Sequence, residues 1–390
     1  MRLVSLSLFL LAIRTESIAA FVHPGILISG TQLNYIKTAV QQQIEPMYSA
    51  YQKALNSVFS HTNYVPFGPP ASGMIECGPY SQPDYGCTHE SDDSTNAYLQ
   101  ALLYAINGSQ VYADNAIKIL NLYSYNLLGY NNSNAPLQSA WSGDKFTRTA
   151  ELLKYTNAGW KEEDQQQFIT MMYKVSLPLY INGSGANGNW EDVQISSMLG
   201  LSIFSENQTL FDHAIAFWRQ RTPAYFYYHT DGDKPIPSPR GPTYWFNQLV
   251  FNSSVDGVCQ ETCRDLGHMH YGLASILNNA ETAYIQGIDL FSEELPRLTS
   301  AMEFHAKYLL YNPIPDYVCN GTGLKLSQSP SFEVGYNAYH NRLNVSLPYS
   351  LAHLMTQIRT LPDPAIFYIM IYETLTHGGS PPTSNTNDNK

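Results

Sequence analysis

The chain has 390 residues, 44% of them hydrophobic, enough for one large domain or two modest ones with a sizeable core. Its formal net charge is −11, and removing an N-terminal leader that carries Arg2 and Arg14 against Glu16 makes it −12. That balance argues against nucleic acid as a partner, and an acidic polysaccharide could bind only where a cleft gathers Arg, Lys and His locally.

Residues 1–20 read MRLVSLSLFLLAIRTESIAA: a basic Arg2, an apolar run from Leu3 to Ile13, and the small-residue ending Ser17-Ile18-Ala19-Ala20. This is the pattern of a secretory signal peptide, too short for a good membrane span, and no later run has spanning length. An extracellular, soluble product with no membrane partner is expected. Seven N-glycosylation sequons, at Asn107, Asn131, Asn182, Asn207, Asn252, Asn320 and Asn344, agree with that address.

After the leader, Ser29 or Thr31 is placed to cap a helix running to about Phe59. Residues 61–90 are irregular and rich in Pro and Gly. From Asp92 the apolar spacing becomes helical, and Asn107-Gly108-Ser109 makes the turn of a helical hairpin that continues to about Leu122. Further helices are expected at 144–156, 162–180, 191–204 and 207–219. A Tyr- and Pro-rich passage of functional-loop length follows, and helices resume at 297–310, 347–359 and 363–374. No segment alternates as strands do, and no linker separates two compositions. The expectation is a single all-α domain over 21–376, built of successive helical hairpins that curl into an incomplete α/α toroid, with a disordered tail over 377–390.

Five cysteines remain. In an oxidising compartment Cys77 is expected to pair with Cys87, closing a Pro/Gly-rich loop. Cys259 and Cys263 are near enough to bridge if the turn between them is loose, which would leave Cys319 unpaired; crossed pairings stay open. No C-x-x-C pair occurs, and His268 and His270 point to different sides of a helix, so neither a metal nor another cofactor is expected.

The stretch Gln260–Gln286, QETCRDLGHMHYGLASILNNAETAYIQ, reads as one long helix. Gln260, Arg264, His268 and Tyr271 are spaced four, four and three apart and share a face, while Leu273, Ile276, Leu277 and Ala280 form an apolar stripe. A guanidinium, an imidazole and a phenol on one wall can bind an anion, accept a proton and donate one. The plainer alternative is a helix-start ion pair and a satisfied histidine. The 29 tyrosines and 5 tryptophans add rings of the kind that pack on sugar faces, though many secreted surfaces are tyrosine-rich.

Several stretches in the same order resemble the alginate lyase family of polysaccharide lyases, secreted enzymes with an α/α toroid fold. They are HPGIL near residue 23, AYLQALLYAINGSQVYADNAIKILN, WSGDKFTRTAELLKY, NGNWEDVQISSMLGLSIFSEN, QETCRDLGHMHYGL with AYIQGIDLF, and RLTSAMEFHAKYLL. The resemblance runs from about residue 23 to 345. It implies β-elimination on an acidic uronan, alginate or glucuronan, by a monomer. Such chemistry needs donors on the C6 carboxylate, a base for the C5 proton and an acid for the departing O4.

On that resemblance Asn189 would donate to the uronate carboxylate and Trp190 would form a wall for a sugar ring; equally, Asn189 could cap the next helix. Arg264 would pair with the carboxylate or depress a tyrosine's pKa, His268 would neutralise the carboxylate or act as base, Tyr271 would be the acid or both acid and base, and Gln260 would contact substrate. Some lyases of this type carry a histidine where this chain has Trp190, and related sequences often carry Gln-Leu in place of His270-Tyr271. The working tyrosine is therefore Tyr271 or Tyr336, the latter in SFEVGYNAYHNRLN, which also supplies Tyr339, His340 and Arg342 as binding residues or as surface groups of an ordinary helix. A glycoside hydrolase on the same toroid, or a non-catalytic carbohydrate-binding protein, are the other readings of this sequence.

Overall fold

Four helices are buried almost all the way round, which is how a helix behaves when both of its faces meet protein. In the computed structural model, which describes residues 20–79, 81–185, 188–237, 245–362 and 371–381, these are α3 (Cys87–Asn107), α5 (Ala135–Tyr155), α7 (Gly188–Phe204) and α9 (Leu266–Ile285). Each packs on the next, α3 on α5, α5 on α7 and α7 on α9. Outside them lie α4 (Gln110–Asn126), α6 (Glu162–Met171) and α8 (Gln208–Tyr225). The chain opens with α1 (Gly30–Gln41) and α2 (Met47–Leu55), and after α9 come α10 (Leu290–Glu293), α11 (Leu295–Leu309), α12 (Glu333–Tyr336), α13 (Pro348–His353) and α14 (Glu373–His377). Inner helices with outer partners make the expected single-domain all-α toroid.

Polar residues inside the inner ring find one another. Arg148 and Asp144, four apart on α5 and both 2% exposed, pair at 2.7 Å. The Lys145 ammonium donates to Ser91 O and Thr95 Oγ1, and the Gln138 amide donates to Glu90 and Cys87 O. Buried polar groups cost free energy unless hydrogen-bonded, so this pairing is what allows polar residues to line the inside of the ring.

Several boundaries differ from expectation. Ser29 does cap α1, its hydroxyl accepting the Gln32 N–H, but the helix ends at Gln41 because Gln43 turns into the left-handed region and Pro46 heads a separate α2. A small sheet, order β2-β1-β3, is present: β1 (Met74–Cys77) pairs antiparallel with β2 (Asp84–Tyr85) and parallel with β3 (Gly129–Asn131). Strands of two to four residues are too short to show alternation. Residues 377–380 are tied down, since the Gln32 and Asn337 amides donate to the carbonyls of Thr376, His377 and Gly379. Residues 1–19 of the leader and 363–370 of the last expected helix lie outside the described residues. Among those described, no helix is long and apolar enough to cross a membrane.

Cys77 pairs with Cys87, but Cys263 pairs with Cys319 and Cys259 is a free, buried thiol. The Cys259 backbone bridges Phe226, and its side chain faces the core, where the Thr262 hydroxyl donates to its sulfur. Cys263 instead meets the loop after α11, beside a second small core built from Tyr227, Trp245, Val258 and Tyr308.

Candidate active site

The stretch read as one helix from Gln260 is two things. Residues 259–264 are held in turns by the Phe226–Cys259 bridge and by the Thr262 hydroxyl, which accepts the Cys259 N–H. α9 begins only at Leu266, because Asp265 in extended backbone (φ −173, ψ 155) accepts the His268 N–H at 2.9 Å and caps it. Gln260 is therefore not on the helical face: it is 1% exposed and its amide donates to Ala224 O. Arg264, His268 and Tyr271 nevertheless stay together, Arg264 from the turn and the other two from the first turns of α9.

These three groups line a cleft of about 610 Å³ with Asn189 and Trp190 from the first turn of α7, and with Gln138 and Trp141 from α5. The disulfide-closed loop contributes Pro79, Ser81 and Asp84 to the facing side. Asn189 thus sits in the first turn of α7 rather than capping it. Tyr271 stands edge-to-face with His268 at 5.8 Å and with Trp141 at 6.2 Å. Past Trp141 the cleft continues into a second chamber of about 260 Å³ that shares Ser81, Thr88, Gln138 and Trp141, with Lys145 beneath it. Burial, against the charges of Asp144, Glu90 and Asp92, pushes the Lys145 pKa down to about 8.

One buried carboxylate organises the polar wall. Glu261, wholly buried, accepts from Asn189 Nδ2 at 2.5 Å, from the Tyr225 hydroxyl at 2.9 Å and from Arg264 at 2.9 Å. Tyr225 reaches it through a slot made by two glycines. A Cβ on Gly188 would lie 2.0 Å from the Tyr225 ring, and one on Gly272 would lie 2.4 Å from it. Burial first, then Cys259, Glu261 and Asp192, raise the Tyr225 pKa well above its ordinary value, so its proton stays available to Glu261. One turn along α7, Asp192 is fully buried and neither of its carboxylate oxygens has a hydrogen-bond partner among the described residues. Burial, then Glu191 and Glu261, raise its pKa well above normal and favour the protonated acid.

The charge on Arg264 is thus matched by Glu261 at 2.9 Å and by Asp265 at 4.0 Å. Any grip on an anion here depends on aimed N–H groups rather than on surplus positive charge. Burial alone would raise the Asp265 pKa, but hydrogen bonds from the His268 ring and backbone, with the charges of His268 and Arg264, outweigh it and hold the carboxyl below its usual value. The cleft therefore presents a fixed amide, an oriented guanidinium, an imidazole and a phenol, between indole rings, in a space of sugar size.

A model of the alginate lyase family matches residues 78–315, more than half of the chain and including every one of these cleft groups. The chain belongs to the alginate lyase family. It is a polysaccharide lyase with an acidic polysaccharide as substrate. Among solved structures, alginate lyase A1-III from Sphingomonas species A1 is 17% identical with a TM-score of 0.61, covering 85% of this chain and 92% of that one. A histidine-to-alanine variant of A1-III complexed with a tetrasaccharide is 17% identical with a TM-score of 0.62, covering 90% and 97%. An alginate lyase from Bacteroides ovatus is 16% identical with a TM-score of 0.56, covering 90% and 99%. At these identities the likeness is one of fold. A search of curated proteins returned no match.

The second group of candidates in this polysaccharide lyase lies elsewhere. Arg342 forms a two-pronged pair with Glu281 and stacks 3.7 Å over Tyr284, both near the far end of α9. At 1.5 Å rise per residue, Glu281 is roughly 20 Å along the helix from His268. Tyr339 is fully buried and donates to Phe291 O, His340 Nδ1 lies 3.0 Å from Val345 O, and Tyr336 is 7% exposed and stacks on His340. Their residue types suit the site, but Arg342 fastens the segment after α12 to α9, Tyr339 ties it to α10, and Tyr336 and His340 pack on each other. Conversely, Glu261, Tyr225, Gln138 and Trp141 were missed. Trp141 and Gln138 carried a local signal, lying three apart near the start of a family-like stretch, whereas the partners of Glu261 are 36 and 72 residues away.

Proposed function

We propose that this chain is a secreted, monomeric lyase that cleaves a mannuronate- or glucuronate-containing uronan by β-elimination in the cleft between α5, α7 and α9. In this reading Asn189 and Arg264 donate to the C6 carboxylate, which lets the C5 proton become acidic. His268 removes that proton; its electron pair forms the C4–C5 double bond as the C4–O4 bond breaks. The Tyr271 hydroxyl delivers its proton to the leaving O4, and the proton on His268 returns to Tyr271 through solvent before the next turnover. Trp141 and Trp190 hold sugar rings on either side, with the chamber above Lys145 taking a neighbouring residue. Secretion rests on the leader pattern over 1–20 and on the sequons, six of which fall on exposed asparagines while Asn207, half-buried, caps α8.

The observation that carries this reading is the meeting of Asn189, Arg264, His268 and Tyr271 on one cleft although they come from segments 75 and more residues apart. Base and acid share one wall, with rings 5.8 Å apart, which favours elimination from one face of the sugar. Mannuronate and glucuronate carry H5 and O4 on the same face; guluronate carries them on opposite faces. An ultraviolet absorbance screen against polymannuronate, glucuronan and polyguluronate tests this. Unsaturated ends should accumulate with one of the first two and at least tenfold more slowly with the third; preference for polyguluronate would overturn the assignment.

A further inference from the structure

The His268 ring is gripped through one nitrogen. Asp265 Oδ1 and Oδ2 lie 2.7 and 2.8 Å from Nδ1, and Oδ1 also accepts the His268 backbone N–H. Nε2 has no hydrogen-bond partner among the described residues, and the ring lines the cleft beside Tyr271. Capping α9 does not require this arrangement, because Ser, Thr or Asn would cap as well. What only an ionised carboxylate adds is an acceptor that can never donate to the ring. Facing it, a neutral imidazole must carry its proton on Nδ1, which leaves the lone pair on Nε2.

From this geometry we propose that Asp265 is a positioning residue for the elimination: it fixes the tautomer and tilt of His268 so that Nε2 is the atom that takes the C5 proton. The proposal rests on His268 being the base. It explains how the cleft works with Trp190 where a histidine stands in some lyases of this type, since the imidazole and its orienting carboxylate both come from the start of α9. The charged groups around the pair are Arg264, whose Nε is 4.0 Å from Asp265, and Glu261 on the far side of Arg264; among the described residues lining the cleft, Tyr271 beside the ring and Asp84 on the facing loop also titrate. When His268 takes the proton, Asp265 stabilises the imidazolium that forms, and Arg264 keeps the carboxylate ionised meanwhile.

Asp265→Asn separates this role from capping, because asparagine keeps the cap and loses the charge. The variant should melt within a few degrees of the parent and lose roughly 10–100-fold in kcat with KM little altered. Asp265→Glu should recover part of the rate, and His268→Gln should be at least as impaired as Asp265→Asn. An inactive His268→Gln beside an Asp265→Asn with parental kcat overturns the positioning role and leaves His268 as base. A His268→Gln that turns over like the parent removes His268 from the mechanism, and the positioning role with it.

Discussion

Gly272→Ala is the sharpest perturbation of the polar wall, because it touches no cleft group directly. The new methyl would lie 2.4 Å from the Tyr225 ring and hydroxyl, and Gly188 bars retreat on the other side. Restoring van der Waals contact needs a ring shift of roughly 1 Å, enough to stretch the 2.9 Å bond to Glu261 beyond hydrogen-bond range. Overpacking costs about 1–3 kcal/mol, and weakening a bond to a buried carboxylate adds about 1.5–3 kcal/mol. With an unfolding entropy near 2.1 cal/mol/K per residue, a total of about 2.5–6 kcal/mol lowers the Tm by roughly 3–7 °C. Since Glu261 also holds Asn189 and Arg264, a displacement of this size should cut kcat/KM by about 10–100-fold. Calorimetry and a uronan absorbance assay read both effects. In a Tyr225→Ala background the methyl has nothing to strike, so the two substitutions should be strongly non-additive. Parental Tm and rate in the single variant, or additive costs in the double, would refute the role given to Tyr225.

The N-terminal segment is pinned by His23, whose Nδ1 and Nε2 each lie 2.7 Å from a carboxylate, Glu151 and Glu206, and whose ring stacks on Tyr155 at 4.0 Å. Burial alone would lower its pKa, but hydrogen bonds and charge from Glu151 and Glu206 outweigh it, so the folded value is raised. The clamp's contribution is therefore complete below about pH 6.5 and is lost as pH rises through the folded pKa. His23→Gln should cost about 1–2 kcal/mol at acid pH and progressively less under alkaline conditions, read by melting across pH; a penalty independent of pH would contradict the clamp. The Cys263–Cys319 bridge spans 56 residues, so replacing both by Ser should remove about 4 kcal/mol of loop-closure stabilisation. Because Arg264 follows Cys263, kcat/KM should fall as well; an unchanged Tm would show that the loop is held by packing alone.

Much of the ring of helices was legible locally. Apolar residues at helical period, Ser29 as a cap and Asn107-Gly108-Ser109 as a turn each mark an element without help from distant sequence. The start of α9 was not, because the spacing of Gln260, Arg264, His268 and Tyr271 suits a helix, while the bridge from Phe226 to Cys259 holds the first part in turns. The same long-range dependence hid Glu261, a lone acid whose importance lies in donors from α7 and α8. It also made Tyr339 and Arg342 attractive, since nothing near them in sequence reveals Phe291 or Glu281 as their partners. Five cysteines left the second disulfide undetermined: Cys259 and Cys263 are close in sequence, yet only Cys263 faces the loop that carries Cys319.

The account stands most directly on which tyrosine supplies the proton. Tyr271→Phe and Tyr336→Phe, assayed beside the parent for release of unsaturated uronate ends, separate the cleft from the segment around α12. Tyr271→Phe should fold normally and lose at least roughly 100-fold in kcat, the scale of general acid catalysis, while Tyr336→Phe keeps most of its activity. Parental turnover in Tyr271→Phe, with loss confined to Tyr336→Phe, would contradict it.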